Sequence, residues 1–305
     1  MRSHAVALLA IAPISALVLG AHERPVRQQP PPPHASVVIL GDGTPLLSAD
    51  RSGTSIGIAV GGTLYVFDAG PGVLRRVFEA RERLRLGIQR LGPVFITHLH
   101  SDHTLGLPEL LYYPGAPSLR VFGPPGIRTL MNHVLDAWSE DRQIRAHSAM
   151  ASDNAVAMTV NNLVTTEILT GVVYRDSNVT VTASEVLHGD WPHALSYRID
   201  TPDRVIVISG DTRPSSAVVD ACNACDILLH AVYDGEATLS DGDARYFKAF
   251  HTSAVELGDI ATRARPKLLV MYHQIFMGKQ PADLIRQVAS KFHGPVISAR
   301  DLDVY

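Results

Sequence analysis

The stretch that decides how this chain folds is Thr97-His98-Leu99-His100-Ser101-Asp102-His103. It follows an apolar strand predicted over Val94–Thr97 and precedes Leu105-Gly106-Leu107-Pro108, so it occupies a strand-to-helix loop. Three imidazoles and a carboxylate this close together are costly to bury without a partner. A divalent cation is such a partner, and neutral imidazole with carboxylate suits zinc, with manganese or iron as alternatives. The motif therefore predicts a metal site.

Further metal donors stand where other apolar runs end. His188, Asp211 and His273 each follow a run rich in β-branched or aliphatic residues. Taken singly, each of them could equally be a structural residue. As a set placed at the ends of strands, they predict a shared rim of metal ligands.

From Ser36 onward, short β-branched runs bounded by glycine alternate with longer helical patterns. Strands are predicted at Val37–Leu40, Ser55–Val60, Thr63–Phe67, Val94–Thr97, Ser118–Phe122, Val179–Ala183, Leu195–Ile199, Val205–Ser209, Ile227–Leu229 and Lys267–Met271. Gly61-Gly62 predicts a hairpin. Helices are predicted at Val73–Leu86, Ile127–Ser139, Ser253–Ala264 and Pro281–Phe292, whereas residues 146–170 show no clear pattern. This order predicts two packed sheets with helices outside.

The composition is that of a globular protein with a sizeable core: 305 residues, 46% apolar, 19% charged and a net charge of −3. No long basic run is present that would bind a nucleic-acid backbone non-specifically. Cys222 and Cys225 are spaced C-x-x-C but lack a thioredoxin-like context. They form either a local disulfide or buried residues at a helix end, and no redox function is predicted.

The N-terminus has the pattern of an export signal. Arg2 provides a positive charge, and Ala5–Ala21 is apolar and ends in small residues that offer a cleavage point. An uncleaved membrane anchor is the alternative, but the run is short for a membrane span and contains a proline. We expect a signal peptide over residues 1–21, a proline-rich linker over 22–35 and one folded domain over 36–305, in the periplasm or secreted.

Five segments occur in an order that is typical of one family. They are Leu40-Gly41-Asp42-Gly43-Thr44-Pro45, Phe67-Asp68-Ala69-Gly70-Pro71-Gly72, Thr97–His103, Ser209-Gly210-Asp211-Thr212-Arg213-Pro214 and His251-Thr252-Ser253-Ala254. The chain from roughly Val37 to Tyr305 resembles the metallo-β-lactamase superfamily, in the branch shared by ribonuclease Z and periplasmic arylsulfatase-like hydrolases. The resemblance implies an α/β (α+β) domain, the four-layer αββα sandwich, with metals at one edge of its two sheets.

The resemblance also implies a dinuclear centre that holds two Zn²⁺, with Mn or Fe as alternatives. The implied ligands are His98, His100 and His188 for one ion and Asp102, His103 and His273 for the other, with Asp211 bridging both. Asp102 would also orient the attacking water, and His251 would be the general acid that protonates a leaving oxygen. Asp68 would anchor a ligand without binding metal. His230 matches a family histidine that is followed by Glu, but Ala231 follows it here, which puts a relay through His230 in doubt. His193 either lines the pocket or packs against it.

Three functions compete on these residues. The first is hydrolysis of phosphodiesters or sulfate esters, for which a bridging Asp211 and an acid at His251 are suited. The second is hydrolysis of a lactone or a β-lactam, which uses the same water but needs less help from an acid. The third is a non-enzymatic metal-binding protein, which the complete ligand set disfavours.

Maturation of transfer RNA is the least favoured reaction within this branch. Ribonuclease Z enzymes commonly carry a Gly/Pro-rich arm, often between the positions of His188 and Asp211, and only Gly189–Gly210 lies between them here. The stretches 266–278 and 301–305 are more similar to the arylsulfatase-like enzymes. We therefore expect a small anionic aryl or alkyl ester as substrate, no nucleic-acid partner and no stable membrane insertion. The formation of a homodimer is left open.

Overall fold

Two β-sheets face each other, and helices cover their outer sides, in the computed structural model of this chain. The structure describes residues 34–46, 48–112, 118–147 and 163–305, all of which belong to one compact unit. The predicted signal peptide and almost all of the predicted linker lie outside these residues, so both stay predictions.

The first sheet has six strands, which lie side by side in chain order. They are β1 (Ser36–Gly41), β2 (Ser55–Val60), β3 (Thr63–Phe67), β4 (Arg90–Phe95), β5 (Arg120–Gly123) and β6 (Val164–Glu167). The first three are antiparallel neighbours, and β3 to β6 run parallel. Because Val60 pairs with Thr63, Gly61 and Gly62 form a two-residue hairpin loop whose φ angles of 57° and 74° favour glycine.

The second sheet has seven strands in the order β13-β12-β11-β10-β9-β8-β7. They are β7 (Gly171–Arg175), β8 (Thr180–Val186), β9 (Ala194–Asp200), β10 (Val205–Ile208), β11 (Ile227–Tyr233), β12 (Leu268–Ile275) and β13 (Val296–Ser298). Strands β7 to β10 are antiparallel neighbours, and β10 to β13 run parallel. Since parallel neighbours end at the same edge, the residues after β10 and near the end of β12 are brought together.

The helices lie outside the sheets or between strands. They are α1 (Val73–Arg83), α2 (Ser101–Thr104), α3 (Leu107–Leu111), α4 (Ile127–Ala137), α5 (Ser139–His147), α6 (Ser216–Cys222), α7 (Asp241–Phe250), α8 (Ala254–Ala264) and α9 (Pro281–Ala289). Over the part of the chain that the structure describes, no helix combines the length and the apolar composition needed to cross a bilayer.

Side chains that alternate between the two faces of each strand fill three apolar layers, one between the sheets and one beneath the helices on each outer side. In β1, Val37 and Ile39 face the second sheet, whereas Val38 and Leu40 face the helices, and all four side chains are buried. Helices α1, α3 and α4 cover the first sheet, and α6, α8 and α9 cover the second. The order helix, sheet, sheet, helix confirms the predicted αββα sandwich.

Some element boundaries differ from the predicted ones. Helix α1 ends at Arg83 rather than Leu86, and Arg85 just beyond it has a left-handed φ of 51°. The helix predicted over Ile127–Ser139 is two helices, α4 and α5, that are separated at Trp138. The strand predicted over Lys267–Met271 continues to Ile275, because it pairs with β11 beyond a bulge. His273 therefore lies within β12 rather than behind it.

Other elements were absent from the prediction. Helices α6 and α7 and strands β6, β7 and β13 have no predicted counterpart. Helix α7 buries none of its residues, so its apolar side chains are only partly covered by the rest of the domain. At the end of α6, Cys222 and Cys225 form a disulfide, which decides between the two alternatives left open by the sequence.

Candidate metal centre

The donors predicted from the sequence lie together at the edge where strands of both sheets end. The run from His98 to His103 follows β4, His188 follows β8, Asp211 follows β10 and His273 lies within β12. Most of these side chains are fully buried. Seven donors that are far apart in the sequence therefore share one small region.

The loop that carries four of the donors is held against the segment after β3. Ala69 N donates to His103 O at 2.8 Å, and Gly106 N donates to Ala69 O at 2.8 Å. A Cβ on Gly70 would lie 2.4 Å from Asp102 O, so glycine is required where the two segments touch. This contact explains why the sequence carries glycine two residues after Asp68.

The first donor group consists of His98, His100 and His188. His98 Nε2 lies 3.0 Å from His100 Nδ1, and His188 Nε2 lies 3.1 Å from the same atom. The opposite ring nitrogens are held by the fold: His98 Nδ1 is 3.0 Å from Thr97 Oγ1, and His188 Nδ1 donates to Phe250 O at 2.7 Å. Three imidazoles thus aim one nitrogen each at a common point.

The second donor group consists of Asp102, His103 and His273. Asp102 Oδ2 lies 3.4 Å from His103 Nε2 and 3.1 Å from His273 Nε2. The three donor atoms all lie within 4.8 Å of one another, and the side chains are buried.

Asp211 lies between the two groups. Its Oδ2 is 3.6 Å from His103 Nε2 and 3.5 Å from His273 Nε2. It also shares a 4.8 Å cluster with donor atoms of His98 and of His188. The family resemblance implies a bridging role for this carboxylate.

These distances fit a divalent metal. Four ligands at bonds of about 2.0–2.1 Å in a tetrahedron lie about 3.3 Å apart, and the four separations given above for the two groups are 3.0 to 3.4 Å. His103 Nε2 and Asp211 Oδ1 are buried and have no hydrogen-bond partner among the described residues. Buried polar atoms without a partner are costly, and a bound cation would satisfy both. The residues therefore form a site for a divalent metal such as zinc.

Asp68 holds a ligand from behind. Its Oδ2 accepts a hydrogen bond from His103 Nδ1 at 2.8 Å, and its two oxygens also accept bonds from Thr97 N and Thr97 Oγ1 at 2.8 and 2.9 Å. These bonds fix the tautomer of His103, which leaves Nε2 free to face Asp102 and Asp211. The carboxylate takes no part in the donor clusters.

In the first donor group, the protonation states match the ligand roles. Burial holds the pKa of His98 and His188 below the usual range and lowers that of His100 to about 4, so the three rings are neutral at pH 7. Burial disfavours the charge of Asp211, but the neighbouring His273 and His103 outweigh it and hold the pKa of Asp211 well below its usual range. Neutral imidazoles and an ionised carboxylate are the forms that bind zinc. In the second donor group, burial lowers the pKa of His103 and His273, but the neighbouring carboxylates outweigh it and raise the pKa of both, so a bound metal would have to displace a proton from each ring.

His251 borders both donor groups. It follows α7, and its Nδ1 lies 3.8 Å from Asp211 Oδ2. Its ring centroid is 5.3 Å from that of His188 and 6.0 Å from that of His273. The side chain is buried, and burial lowers its pKa to about 4.

Helix α7 forms one wall of the site. Gly189 N donates to Ala249 O at 3.0 Å, which adds to the bond from His188 Nδ1 to Phe250 O. A Cβ on Gly189 would lie 2.0 Å from Phe250 Cζ, so glycine lets the phenyl ring approach the backbone beside His188. The helix is therefore attached directly to a residue of the first donor group.

Trp191 touches the open side of the first donor group. Its indole Nε1 donates to His100 Nε2 at 2.6 Å, and the two rings are perpendicular with centroids 4.9 Å apart. Nothing local in the sequence marks the contact of Trp191 with His100.

Two other predicted residues do not join the donor groups. His230 is fully buried, and its Nδ1 donates to Ala231 O at 2.7 Å. His193 lies near the surface, 3.4 Å from Glu185 Oε1. Neither takes part in the donor clusters found among the described residues.

Comparison with known proteins agrees with this architecture. The sequence matches the family described as "Beta-lactamase superfamily domain" over residues 63–274. A ribonuclease Z of Mycolicibacterium gilvum (strain PYR-GCK) is 27% identical over 250 residues, which are 78% of this chain and 84% of that protein. The metallo-beta-lactamase fold protein YhfI from Bacillus subtilis gives a TM-score of 0.65 at 18% identity, covering 90% of this chain and 99% of that one. The short form of human tRNase Z gives a TM-score of 0.62 at 22% identity, covering 88% of this chain and 98% of that one. The chain therefore belongs to the beta-lactamase superfamily and has the metallo-beta-lactamase fold.

Proposed function

We propose that the protein is a two-metal hydrolase that cleaves a small anionic ester, either a phosphodiester or a sulfate ester of an aryl or alkyl alcohol. The observation that carries this proposal is the position of Asp211. Its carboxylate lies between the first and the second donor group and 3.8 Å from the ring of His251. One carboxylate thus links two metal-binding groups to a candidate acid.

Different residues of the site would have different roles in hydrolysis. His98, His100 and His188 would hold one ion, and Asp102, His103 and His273 the other, with Asp211 between them. Ions held in this way supply a water of lowered pKa and stabilise developing negative charge. Asp102, the carboxylate of the second donor group, is 7% exposed. It can accept a hydrogen bond from the attacking water and orient it.

His251 is placed to complete the reaction. Burial keeps the free ring neutral, with a pKa of about 4. A negatively charged ester bound beside the ring would favour the protonated form, because opposite charges stabilise each other at close range. The acid would then form when an anionic substrate is present and protonate the leaving oxygen. An uncharged lactone gives the ring no such help.

A transfer-RNA substrate has less support. Between His188 and Asp211, the residues build β9, β10 and their short connections. No arm that could grip a long polyanion is inserted there, although ribonuclease Z proteins are among the relatives. This favours a small substrate over a folded nucleic acid.

The test is a turnover screen of the zinc-reconstituted protein. It compares bis(4-nitrophenyl) phosphate, 4-nitrophenyl sulfate, a lactone and a chromogenic cephalosporin, with Asp211→Ala as the inactive control. We expect turnover of one of the two anionic esters, and its loss in the variant. Preferential cleavage of the lactone or the cephalosporin would make the protein an acyl hydrolase. A zinc-loaded protein that cleaves none of the four would contradict the proposal.

We also propose that the folded domain works in an oxidising compartment, the periplasm or outside the cell. The disulfide between Cys222 and Cys225 supports this, because disulfides persist mainly in such compartments. Sequencing of the N-terminus of the mature protein tests it: a start near Ala21 or His22 is expected, and a start at Met1 would contradict export.

A further inference from the structure

We propose that a groove between helix α7 and the end of strand β12 binds the uncharged, aromatic leaving group of the substrate. This inference rests on the proposed function, because it assigns a place to one part of the ester. The groove lies outside the two donor groups and His251.

The groove has a volume of about 360 Å³, and apolar side chains line most of it. Its lining residues include Leu46, Leu239, Phe247, Ile275, Met277 and Lys279. A volume of a few hundred Å³ is in the range of small-molecule sites, which are mostly apolar with a few polar groups. An aryl group fits this space, whereas a folded macromolecule does not.

The groove lies beside the metal centre, and two of its lining residues are neighbours of residues of that centre. Phe247 lines the groove, and its ring centroid is 5.8 Å from that of His251. Ile275 also lines the groove and stands two residues after His273 in β12. His251 and His273 are not among the residues that line the groove, but each lies near a residue that does.

The position of His251 decides which part of the ester lies in the groove. A general acid must reach the leaving oxygen, so the organic group on that oxygen must start beside His251. From there it meets Phe247, whose ring is fixed by stacking on Tyr233 at a centroid distance of 5.2 Å. An aromatic leaving group can pack on this rigid ring, as aromatic pairs do.

The charges of the groove disfavour an anionic leaving group. Its charged lining residues are Glu236, Asp243 and Lys279, two carboxylates and one ammonium. Glu236 is further paired with Arg286 at 2.9 Å. A nucleotide chain as leaving group would instead need a row of cations along its phosphates. The groove thus suits an uncharged aryl group.

The test uses fluorescence to measure the binding of 4-methylumbelliferone to the zinc-loaded protein. This compound is an aromatic alcohol, so its binding can be measured without any turnover of substrate. Phe247→Ala should weaken binding roughly tenfold, because it removes the packing partner of the ring. Leu239→Asp is a second variant that places a charge on the groove without touching the Phe247–Tyr233 stack. Phe78→Ala, which truncates a partly exposed phenyl ring on α1, is the control and should leave binding unchanged.

The outcomes separate this inference from the proposed function. Weaker binding in both groove variants, with the control unaffected, supports the groove. Binding that is absent in the wild type, or equal in all variants, overturns it whether or not anionic esters are cleaved. If binding depends on the groove but no anionic ester is turned over, the proposed reaction fails while the aromatic site stands. Where turnover is found, inhibition by 4-nitrophenol should weaken in Phe247→Ala, and inhibition by inorganic phosphate should not.

Discussion

Gln274 Nε2 donates a hydrogen bond of 2.9 Å to Asp42 Oδ2, and both side chains are buried. Gln274 directly follows the donor residue His273, which bulges out of β12 with a left-handed φ of 47°. A residue other than glycine adopts this conformation only where the surroundings stabilise it. The amide of Gln274 also donates to Ala299 O at 3.0 Å, so the bulge is tied to two other segments.

We expect Gln274→Leu to weaken zinc binding at the second donor group on the order of 10- to 100-fold, the range seen when residues that orient ligands are changed. The reason is that His273 would no longer be held in its bulged conformation. Zinc titration against a chelator would show one weakened and one unchanged equivalent. Equal loss of both equivalents, or of neither, would contradict the assignment.

The chain offers a matched control for this variant. Gln287 is also buried, and its Nε2 donates to a buried aspartate, Asp234, at 2.5 Å. Gln287→Leu should lower stability by a similar amount while leaving both zinc equivalents in place. A loss of zinc in this variant as well would mean that destabilisation alone explains the effect.

The pH dependence of stability should change in Asp42→Asn. Burial raises the pKa of Asp42 from 3.8 to about 7, so the folded state binds this proton more tightly than the unfolded state. Between about pH 4 and about pH 7 the unfolded chain loses the proton first, and wild-type stability therefore falls as the pH rises through this window. Asparagine has no proton to lose.

The free energy of unfolding of Asp42→Asn relative to wild type should thus increase from pH 4 to pH 7 and stay level above it. Each pKa unit between the two states is about 1.4 kcal/mol, so the relative change should reach a few kcal/mol. Urea titrations of the metal-free proteins measure it without interference from metal binding. A difference that does not vary with pH would contradict a raised pKa at Asp42.

The contrast between His103 and His273 shows how far the sequence could predict the site. The run from His98 to His103 is recognisable because its donors are close in the chain and follow one strand. The conformation of His273 cannot be recognised from the sequence, because it depends on the contact between Gln274 and Asp42. These two residues lie 232 positions apart in the sequence. The hydrogen bond from Trp191 to His100 likewise links two segments whose proximity arises only in the folded chain.

The fold was predictable for a similar reason, and its gaps follow from the same limit. Alternating apolar residues mark strands such as β1, whose two faces are both buried. Helix α7 has no buried residue and is held by contacts with Gly189 and Tyr233, so its place in the fold depends on residues that are distant in the sequence. Elements that are defined by distant contacts, rather than by their own periodicity, had to come from the structure.

Metal content should depend most on Asp211. We expect elemental analysis to find about two equivalents of zinc in the wild type. Asp211→Ala should lower the occupancy of both zinc equivalents, because this carboxylate lies between the two donor groups. His98→Ala should affect mainly the equivalent held by the first donor group. A protein that holds no metal after reconstitution would contradict the central proposal.

Zinc should change the fluorescence of Trp191. A neutral imidazole accepts at one nitrogen only, so a His100 ring that binds metal through Nδ1 carries its proton on Nε2 and cannot accept from the indole. The bond from Trp191 Nε1 to His100 Nε2 should then break, and the indole should move. The chain has two tryptophans, so Trp138→Phe leaves Trp191 as the sole reporter. Emission that is insensitive to zinc in this variant would mean that the indole stays in place.

The last prediction concerns His251, whose ring lies beside Asp211 without belonging to either donor group. If it protonates a poor leaving group, His251→Ala should keep both zinc equivalents and lose on the order of 10²–10⁴ in turnover. The loss should shrink as the leaving group becomes more acidic, since a stable anion needs no proton. Turnover of aryl esters with graded leaving-group pKa, in wild type and variant, gives two slopes that should differ. Parallel slopes would exclude His251 as the acid, and a loss of zinc in the variant would make it a ligand, in keeping with its nearness to His188 and Asp211.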